Sequence, residues 1–417
     1  MDKFIIHGGK TLSGHIRVSG AKNAVLPIMT AAILAPGKYK LSNVPNLRDT
    51  RTMGKLLQII GAEFSMDDGE MNIDTSGVNK PEAPYELVKT MRASFYVLGP
   101  LLARFGTAKV SLPGGCAWGP RPVDLHLKGM EALGAQIDLE GGYIQGTAKQ
   151  LHGTDFTLDI SSVGATGNIL MAAVTADGVT TIENAAREPE IAELARFLNA
   201  MGADIRNVGS DLLEVHGVKE LHPTDYNIVP DRIEAGTYLV AGAIAGDKVE
   251  ISPVVPKHLR AVIDKVKASG AKVIVEDDKV IVSRPEEIQP VDITTAIYPG
   301  YPTDMQAQWL AYMATANGSS VVTEEIYQDR FTHVAELNRL GAKISLENNV
   351  AIVKGVSRLK GAPVMSTDIR ASASLILAAL IAEGRTDVHR IYHIDRGYQR
   401  IENKLRALGA DIERVNE

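Results

Sequence analysis

The stretch Pro113-Gly114-Gly115-Cys116-Ala117-Trp118-Gly119-Pro120-Arg121-Pro122 sets the only cysteine of the chain five residues before an arginine. Its three glycines and three prolines exclude a helix or a central strand, so it reads as an exposed loop. Val123, Leu127 and Met130 then open an amphipathic helical face. A thiol beside a helix N-terminus and a guanidinium has its thiolate favoured over the free value near ~8.5, which makes it a nucleophile or an acid. A lone cysteine is more often a small buried hydrophobe, but this loop is a poor place to bury one.

Other charged and polar residues gather just ahead of predicted helices. Lys22-Asn23, Arg92, Ser161-Ser162, Asp231-Arg232, Asp304 and Asp368 with Arg370 precede one series of helices. Arg48-Asp49, Cys116 with Arg121, Arg187-Glu188, Lys257-His258, Arg330 and Arg396 precede a second series. Helix N-termini offer free N–H groups and a partial positive charge, and arginine adds two-point recognition of phosphate or carboxylate. Any one such residue is more often a cap or a surface ion pair. Their recurrence at equivalent places points instead to a site for a ligand with several negative charges. His126, one turn into its helix, is a weak phosphate candidate against an ordinary solvated histidine. Gly8-Gly9-Lys10-Thr11 resembles the end of a phosphate loop, but Phe4 stands where its first glycine belongs.

These positions are equivalent because the chain repeats itself. A small-residue element recurs at Gly61-Ala62, Gly134-Ala135, Gly202-Ala203, Gly270-Ala271, Gly341-Ala342 and Gly409-Ala410, with glycine spacings of 73, 68, 68, 71 and 68. A second series, Gly37, Gly106, Gly178, Gly246, Gly318 and Gly384, has spacings of 69, 72, 68, 72 and 66. Each repeat reads as an apolar helix such as 371–382, a strand such as 179–182, and an amphipathic helix carrying Ile191, Leu194, Leu198 and Met201. A hairpin follows, as around Asn348-Asn349. The period is too long for common solenoids and suits a compact α/β module. The sixth repeat lacks a strand, and Ile5-Ile6-His7-Gly8 resembles the strand endings of other repeats. The expectation is that residues 1–21 complete it. One domain then spans 22–229, and the other joins 1–21 to 230–417, with two crossings that allow a hinge and a cleft.

The whole composition agrees with this. A chain of 417 residues with 45% apolar and 23% charged residues is an ordinary globular one, long enough for two or three domains. A net charge of −6 argues against a nucleic-acid or acidic-membrane coat. One cysteine permits no intrachain disulfide and fits a reducing cytosol. The charge-free run 305–323 contains Gln306, Gln308 and Asn317 and does not read as a membrane span. No CxxC pair or HExxH occurs, so no metal or cofactor is expected.

Taken together, Ser19-Gly20-Ala21-Lys22-Asn23-Ala24, the 113–122 loop, Pro230-Asp231-Arg232-Ile233-Glu234, Pro302-Thr303-Asp304-Met305-Gln306 and His393-Ile394-Asp395-Arg396-Gly397-Tyr398 resemble the UDP-N-acetylglucosamine 1-carboxyvinyltransferases, a family of enolpyruvyl transferases. The resemblance covers essentially the whole chain. It implies a two-domain inside-out α/β barrel of six repeated α/β units, three per domain. It also implies transfer of enolpyruvyl from phosphoenolpyruvate to the 3-hydroxyl of UDP-N-acetylglucosamine, early in peptidoglycan synthesis in the cytoplasm.

By the same resemblance Cys116 is the proton donor, the residue that forms a covalent adduct and the target of fosfomycin. Asp304 takes the hydroxyl proton. Lys22, Arg121 and Arg396 hold the phosphate, Arg330 and Arg370 the carboxylate side, and Asn23 orients the hydroxyl. Arg92, Arg121, Pro122, Val123, Asp124, Leu125, Ser162, Val163, Gly164, Asp304 and Ile326 line the nucleotide-sugar site. Trp118 stands where the family usually has an aliphatic residue, and Ile160 where some members have lysine. The nearest alternative is transfer to shikimate 3-phosphate. A non-catalytic ring around nucleic acid is opposed by the acidic charge.

Overall fold

The computed structural model describes residues 2–112 and 123–416. Every repeat begins with a short edge strand. An inner helix, a strand, an outer helix and a hairpin follow. In the second repeat these are Glu82–Ala83, Leu98–Phe105, Thr107–Ser111, Asp124–Ala132, and the hairpin Gln136–Glu140 with Tyr143–Thr147. The edge strand runs parallel to the strand after the helix, and the other pairings are antiparallel. Among the described residues this pattern produces six four-stranded sheets.

The inner helices are Lys22–Ala31, Leu98–Phe105, Val163–Ala173, Arg232–Ala245, Gln306–Met313 and Ile369–Ile381. Their sequences are apolar nearly all round, the pattern of a helix with no solvent face. From Ile233 to Ala245 every residue is buried. The outer helices are one-sided instead, as in Arg48–Ile59, where Met53, Leu56 and Leu57 face inward. Helices inside and sheets outside make each unit an inside-out α/β barrel.

The Gly-Ala elements stop the outer helices. All six of their glycines have φ between 91° and 108°, the left-handed region that a Cβ would strain. In the second series Gly246 differs. It has φ −84° and opens the strand Gly246–Ser252. A Cβ there would lie 2.6 Å from the Gly242 carbonyl oxygen, so close approach demands glycine.

The chain packs as two units, Met1–Ser19 with Pro230–Glu417, and Gly20–Val229, each with its own hydrophobic core. The first crossing lies at Ser19/Gly20, two residues earlier than the sequence reading placed it. Ala21 N–H donates to Val229 O at 2.7 Å, which ties Ala21 to the unit it enters.

The N-terminal segment does not serve the sixth repeat alone. Asp2–His7 lies between Arg385–His389 and Asp411–Asn416, antiparallel to both, and supplies the missing strand. Leu12–Arg17 instead pairs in parallel with Gly246–Ser252 of the fourth repeat, with Ile16 opposite Ile251. Four repeats pair their own edge strand across their own inner helix. At the two crossings the edge strands are exchanged: Tyr226–Asn227 pairs with Lys38–Ser42, the place that Leu12–Arg17 would otherwise take. The exchange fills each sheet within a single unit and leaves no parallel edge open. Gly8 to Lys10 merely connects two strands, so these residues form no phosphate loop.

Candidate active site

In the unit containing Pro230–Glu417, three sequence-predicted residues meet directly. Asp304 lies in the turn Thr303–Met305, just before the inner helix Gln306–Met313. One oxygen of its carboxylate accepts from Arg370 Nη2 at 2.7 Å, the other from Arg330 Nη2 at 2.8 Å. Burial pushes the Asp304 carboxyl up, but the Arg370 and Arg330 guanidinium groups outweigh it and hold the group well below the usual carboxylate range. The N-cap positions there are Pro302 and Met305, and both Asp304 oxygens are engaged by arginines.

Each arginine is held at a second point by a hydroxyl. Arg370 Nη1 donates to Tyr398 OH at 3.2 Å, and Tyr398 OH lies 2.7 Å from Thr237 Oγ1, which donates to Ile233 O at 2.8 Å. Arg330 Nη1 donates to Thr303 Oγ1 at 3.0 Å, and Thr303 Oγ1 donates to Glu324 Oε2 at 2.9 Å. The arginine side chains are only 9% and 7% exposed, against 26% for Asp304. Two guanidinium groups with fixed planes thus present their remaining edges to one partly exposed carboxylate. Two such guanidinium groups can hold a carboxylate, and here they hold the protein's own.

Ile326 belongs to the same region through its backbone, since its N–H donates to Glu324 Oε1 at 2.9 Å. Arg370 begins next to Asp368, whose carboxylate caps the inner helix through the N–H groups of Arg370 and Ala371. Arg396 ends the turn Ile391–Arg396, and the following Gly397 packs against Ile369 at the start of that helix. His333 is buried nearby; burial, tempered by Asp368 and reinforced by Arg330, brings its pKa down to about 4.

The unit Gly20–Val229 carries two further groupings. Lys22 opens its inner helix and lies 3.4 Å from the buried Asp49 at the head of the first outer helix; Asn23 follows Lys22 in the same turn. Arg92 and Gly164 lie close to His126, and Leu125 and Val163 adjoin His126 and Gly164 along the chain. Gly164 lies so close that a Cβ there would be 3.0 Å from His126 Nε2. Tyr96 OH donates to Val163 O at 3.3 Å, and Ser162 caps the helix Val163–Ala173 through Ala165 N–H. Asp124 is the first residue of its outer helix, with Val123 as its N-cap residue. Cys116, Trp118, Arg121 and Pro122 lie outside the described residues. Ile160 is 67% exposed.

The structure corrects the reading of His126, which is neither a solvated histidine nor a cationic phosphate ligand. It is 6% exposed, and Asn168 Nδ2 donates to its Nδ1 at 3.0 Å, leaving the proton on Nε2. Burial, then the nearby Arg92 charge, push its pKa down to about 3. Asn168 went unnoticed in the sequence. It also accepts from Gly99 N–H at 2.7 Å and donates to Phe95 O at 2.9 Å, so one amide ties two helices to the His126 ring. Its signal was a polar residue inside an apolar helix, as with Thr237 and Gln308. Glu324 gave no comparable signal, and Thr303 was visible only as part of the Pro302–Gln306 motif.

Comparison with known proteins shows what the chain is similar to. Residues 6–405 match the family model of EPSP synthase (3-phosphoshikimate 1-carboxyvinyltransferase). The chain is 54% identical over 417 residues to the UDP-N-acetylglucosamine 1-carboxyvinyltransferase of Geotalea daltonii, covering all of both chains. It is 54% identical to the protein of the same name from Myxococcus xanthus, over 99% of each. Among solved structures, the enolpyruvyl transferase NikO from Streptomyces tendae superposes with a TM-score of 0.89 at 28% identity, over 100% of this chain and 99% of that one. EPSP synthase from Acinetobacter baumannii superposes at 0.75 and 19% identity over the whole of both chains, a likeness of fold.

Proposed function

This chain belongs to the UDP-N-acetylglucosamine 1-carboxyvinyltransferase family, and from that membership we infer that it transfers enolpyruvyl from phosphoenolpyruvate to the 3-hydroxyl of UDP-N-acetylglucosamine, releasing phosphate. The observation that carries this is 54% identity along the full length of relatives bearing that name. The product is a peptidoglycan precursor. No described helix is long and apolar enough to cross a membrane. We assign the reaction to the cytoplasm.

Protonation of the donor's methylene carbon makes its neighbouring carbon electrophilic. The sugar oxygen attacks that carbon and gives up its proton. The resulting tetrahedral ketal loses phosphate, and a methyl proton leaves to restore the double bond. Acid and base are needed in turn. Cys116 is the acid and the thiol that adds covalently to the donor, hence also the residue fosfomycin alkylates. Asp304 is the base. Lys22, Arg121 and Arg396 hold the phosphate. Arg330 and Arg370 hold the donor carboxylate, a reading supported by their grip on the Asp304 carboxylate. Once the donor's anion takes the two guanidinium groups, Asp304 regains base strength. Asn23 orients the hydroxyl. Arg92, Arg121 to Leu125, Ser162 to Gly164, Asp304 and Ile326 line the nucleotide-sugar site. Each of the two packed units is assigned as a domain.

Product analysis tests the reading. With phosphoenolpyruvate, the protein should release phosphate and yield the enolpyruvyl ether when given UDP-N-acetylglucosamine, and do neither with shikimate 3-phosphate. Turnover of shikimate 3-phosphate alone would reverse the assignment.

A further inference from the structure

Glu324 is a carboxylate with no solvent exposure, outside every residue assigned above. Its Oε1 accepts from Thr295 Oγ1 at 2.8 Å and from the N–H groups of Ile326 and Tyr327 at 2.9 Å each. Its own N–H donates to Asn349 O at 2.8 Å, which anchors it to the neighbouring hairpin. That side of the carboxylate serves the loop. Oε2 faces elsewhere, toward Thr303 Oγ1 at 2.9 Å, and Thr303 Oγ1 receives Arg330 Nη1 at 3.0 Å.

The direction of this chain is set by the inventory of donors. A carboxylate only accepts, a guanidinium only donates, and a hydroxyl has one proton. Thr303 spends that proton on Glu324, so a lone pair remains for Arg330. Arg330 Nη2 is meanwhile on Asp304, the residue next to Thr303. Two adjacent residues of one turn thereby fix two nitrogens of the same guanidinium, and Glu324 fixes the turn.

We propose that Glu324 and Thr303 are positioning residues of the donor site: a one-way relay from Arg330 through the Thr303 hydroxyl to the buried Glu324 carboxylate sets the plane in which Arg330 meets the donor's carboxylate. This rests on the assignment of Arg330 to the donor. Without the relay, Arg330 keeps its charge but loses its orientation, so the larger loss falls on donor binding.

Steady-state kinetics on Thr303→Val, Thr303→Ser and Glu324→Gln test it, with melting temperatures measured alongside. Thr303→Val keeps the size and leaves the loop bonds of Oε1 in place. Its donor KM should rise about tenfold, the scale of one hydrogen bond to a charged group, a larger change than in kcat or in acceptor KM. Thr303→Ser should restore the donor KM to within about threefold. Glu324→Gln places an amide donor against Thr303, turns the hydroxyl, and should raise the donor KM in the same way. The double variant Glu324→Gln/Thr303→Val should then be no worse than the worse single. A Thr303→Val enzyme with lowered melting temperature but normal donor KM overturns the proposal, as do effects that multiply in the double variant. If wild type turns over phosphoenolpyruvate and the variants match it, only the relay falls. If wild type turns over neither acceptor with phosphoenolpyruvate, the functional reading falls and the relay with it.

Discussion

With Arg370 at 2.7 Å and Arg330 at 2.8 Å, the Asp304 carboxylate is a weak proton acceptor until other anions draw those guanidinium groups away. The pairing separates its roles. Asp304→Asn keeps the size but removes both the proposed base and the negative charge that pairs with the arginines. Turnover should fall by about 10²–10⁴-fold, the usual scale for general base catalysis, while the donor KM stays level or drops. A capping role predicts no loss, because asparagine caps as well as aspartate. Near-normal turnover of the variant in a steady-state assay would remove Asp304 from the chemistry.

Among the elements, the first strand decides most. Asp2–His7 is central in its sheet, and both Phe4 and Ile6 are fully buried. Arg414 also lies over the Phe4 ring, 5.0 Å from its centroid. Phe4→Ala leaves a cavity between the sheet and the inner helix Ile369–Ile381 and should cost about 3–5 kcal/mol. Hydrogen exchange should quicken in Arg385–His389 and Asp411–Asn416, the two strands that pair with it. Unchanged protection there, with stability lost elsewhere, would contradict the pairing.

The two packed units each bury a histidine kept neutral, and this shapes the response of the whole molecule to acid. His126 in Gly20–Val229 is pushed down to about 3, and His333 in the other unit to about 4. The unfolded chain takes up these protons below pH ~6.5 and the folded one does not, so stability falls as pH drops from about 6.5 toward those values. Each histidine contributes a slope approaching about 1.4 kcal/mol per pH unit. Asp304 adds nothing in this window. Its lowered pKa stabilises the fold above the unfolded value near ~3.9, and that contribution is lost only as pH falls further. Urea unfolding between pH 7 and 5 should show the slope, and His126→Gln should flatten it. Parallel pH profiles for the variant and wild type would rule out His126 as a source.

Periodicity alone determined the six repeats, their helix–strand order and the glycine stops, because a helix with no solvent face reads apolar nearly all round and a left-handed helix stop favours glycine, which has no Cβ to strain. The chemistry-bearing positions ahead of the helices were visible because they recur at equivalent places in successive repeats. What only the tertiary structure decided are the matters of pairing. Local pattern does not say that Leu12–Arg17 leaves its own repeat for the fourth, since a parallel edge strand fits any repeat's open edge and only closure within a unit selects one. Nor does it distinguish the exposed histidine expected at 126 from the buried neutral one, whose state depends on Asn168 from a helix 42 residues away. Glu324 was silent in the sequence, and Thr303 stood in a matching motif without a role, because their place in the site comes from hydrogen bonds between turns, which carry no period.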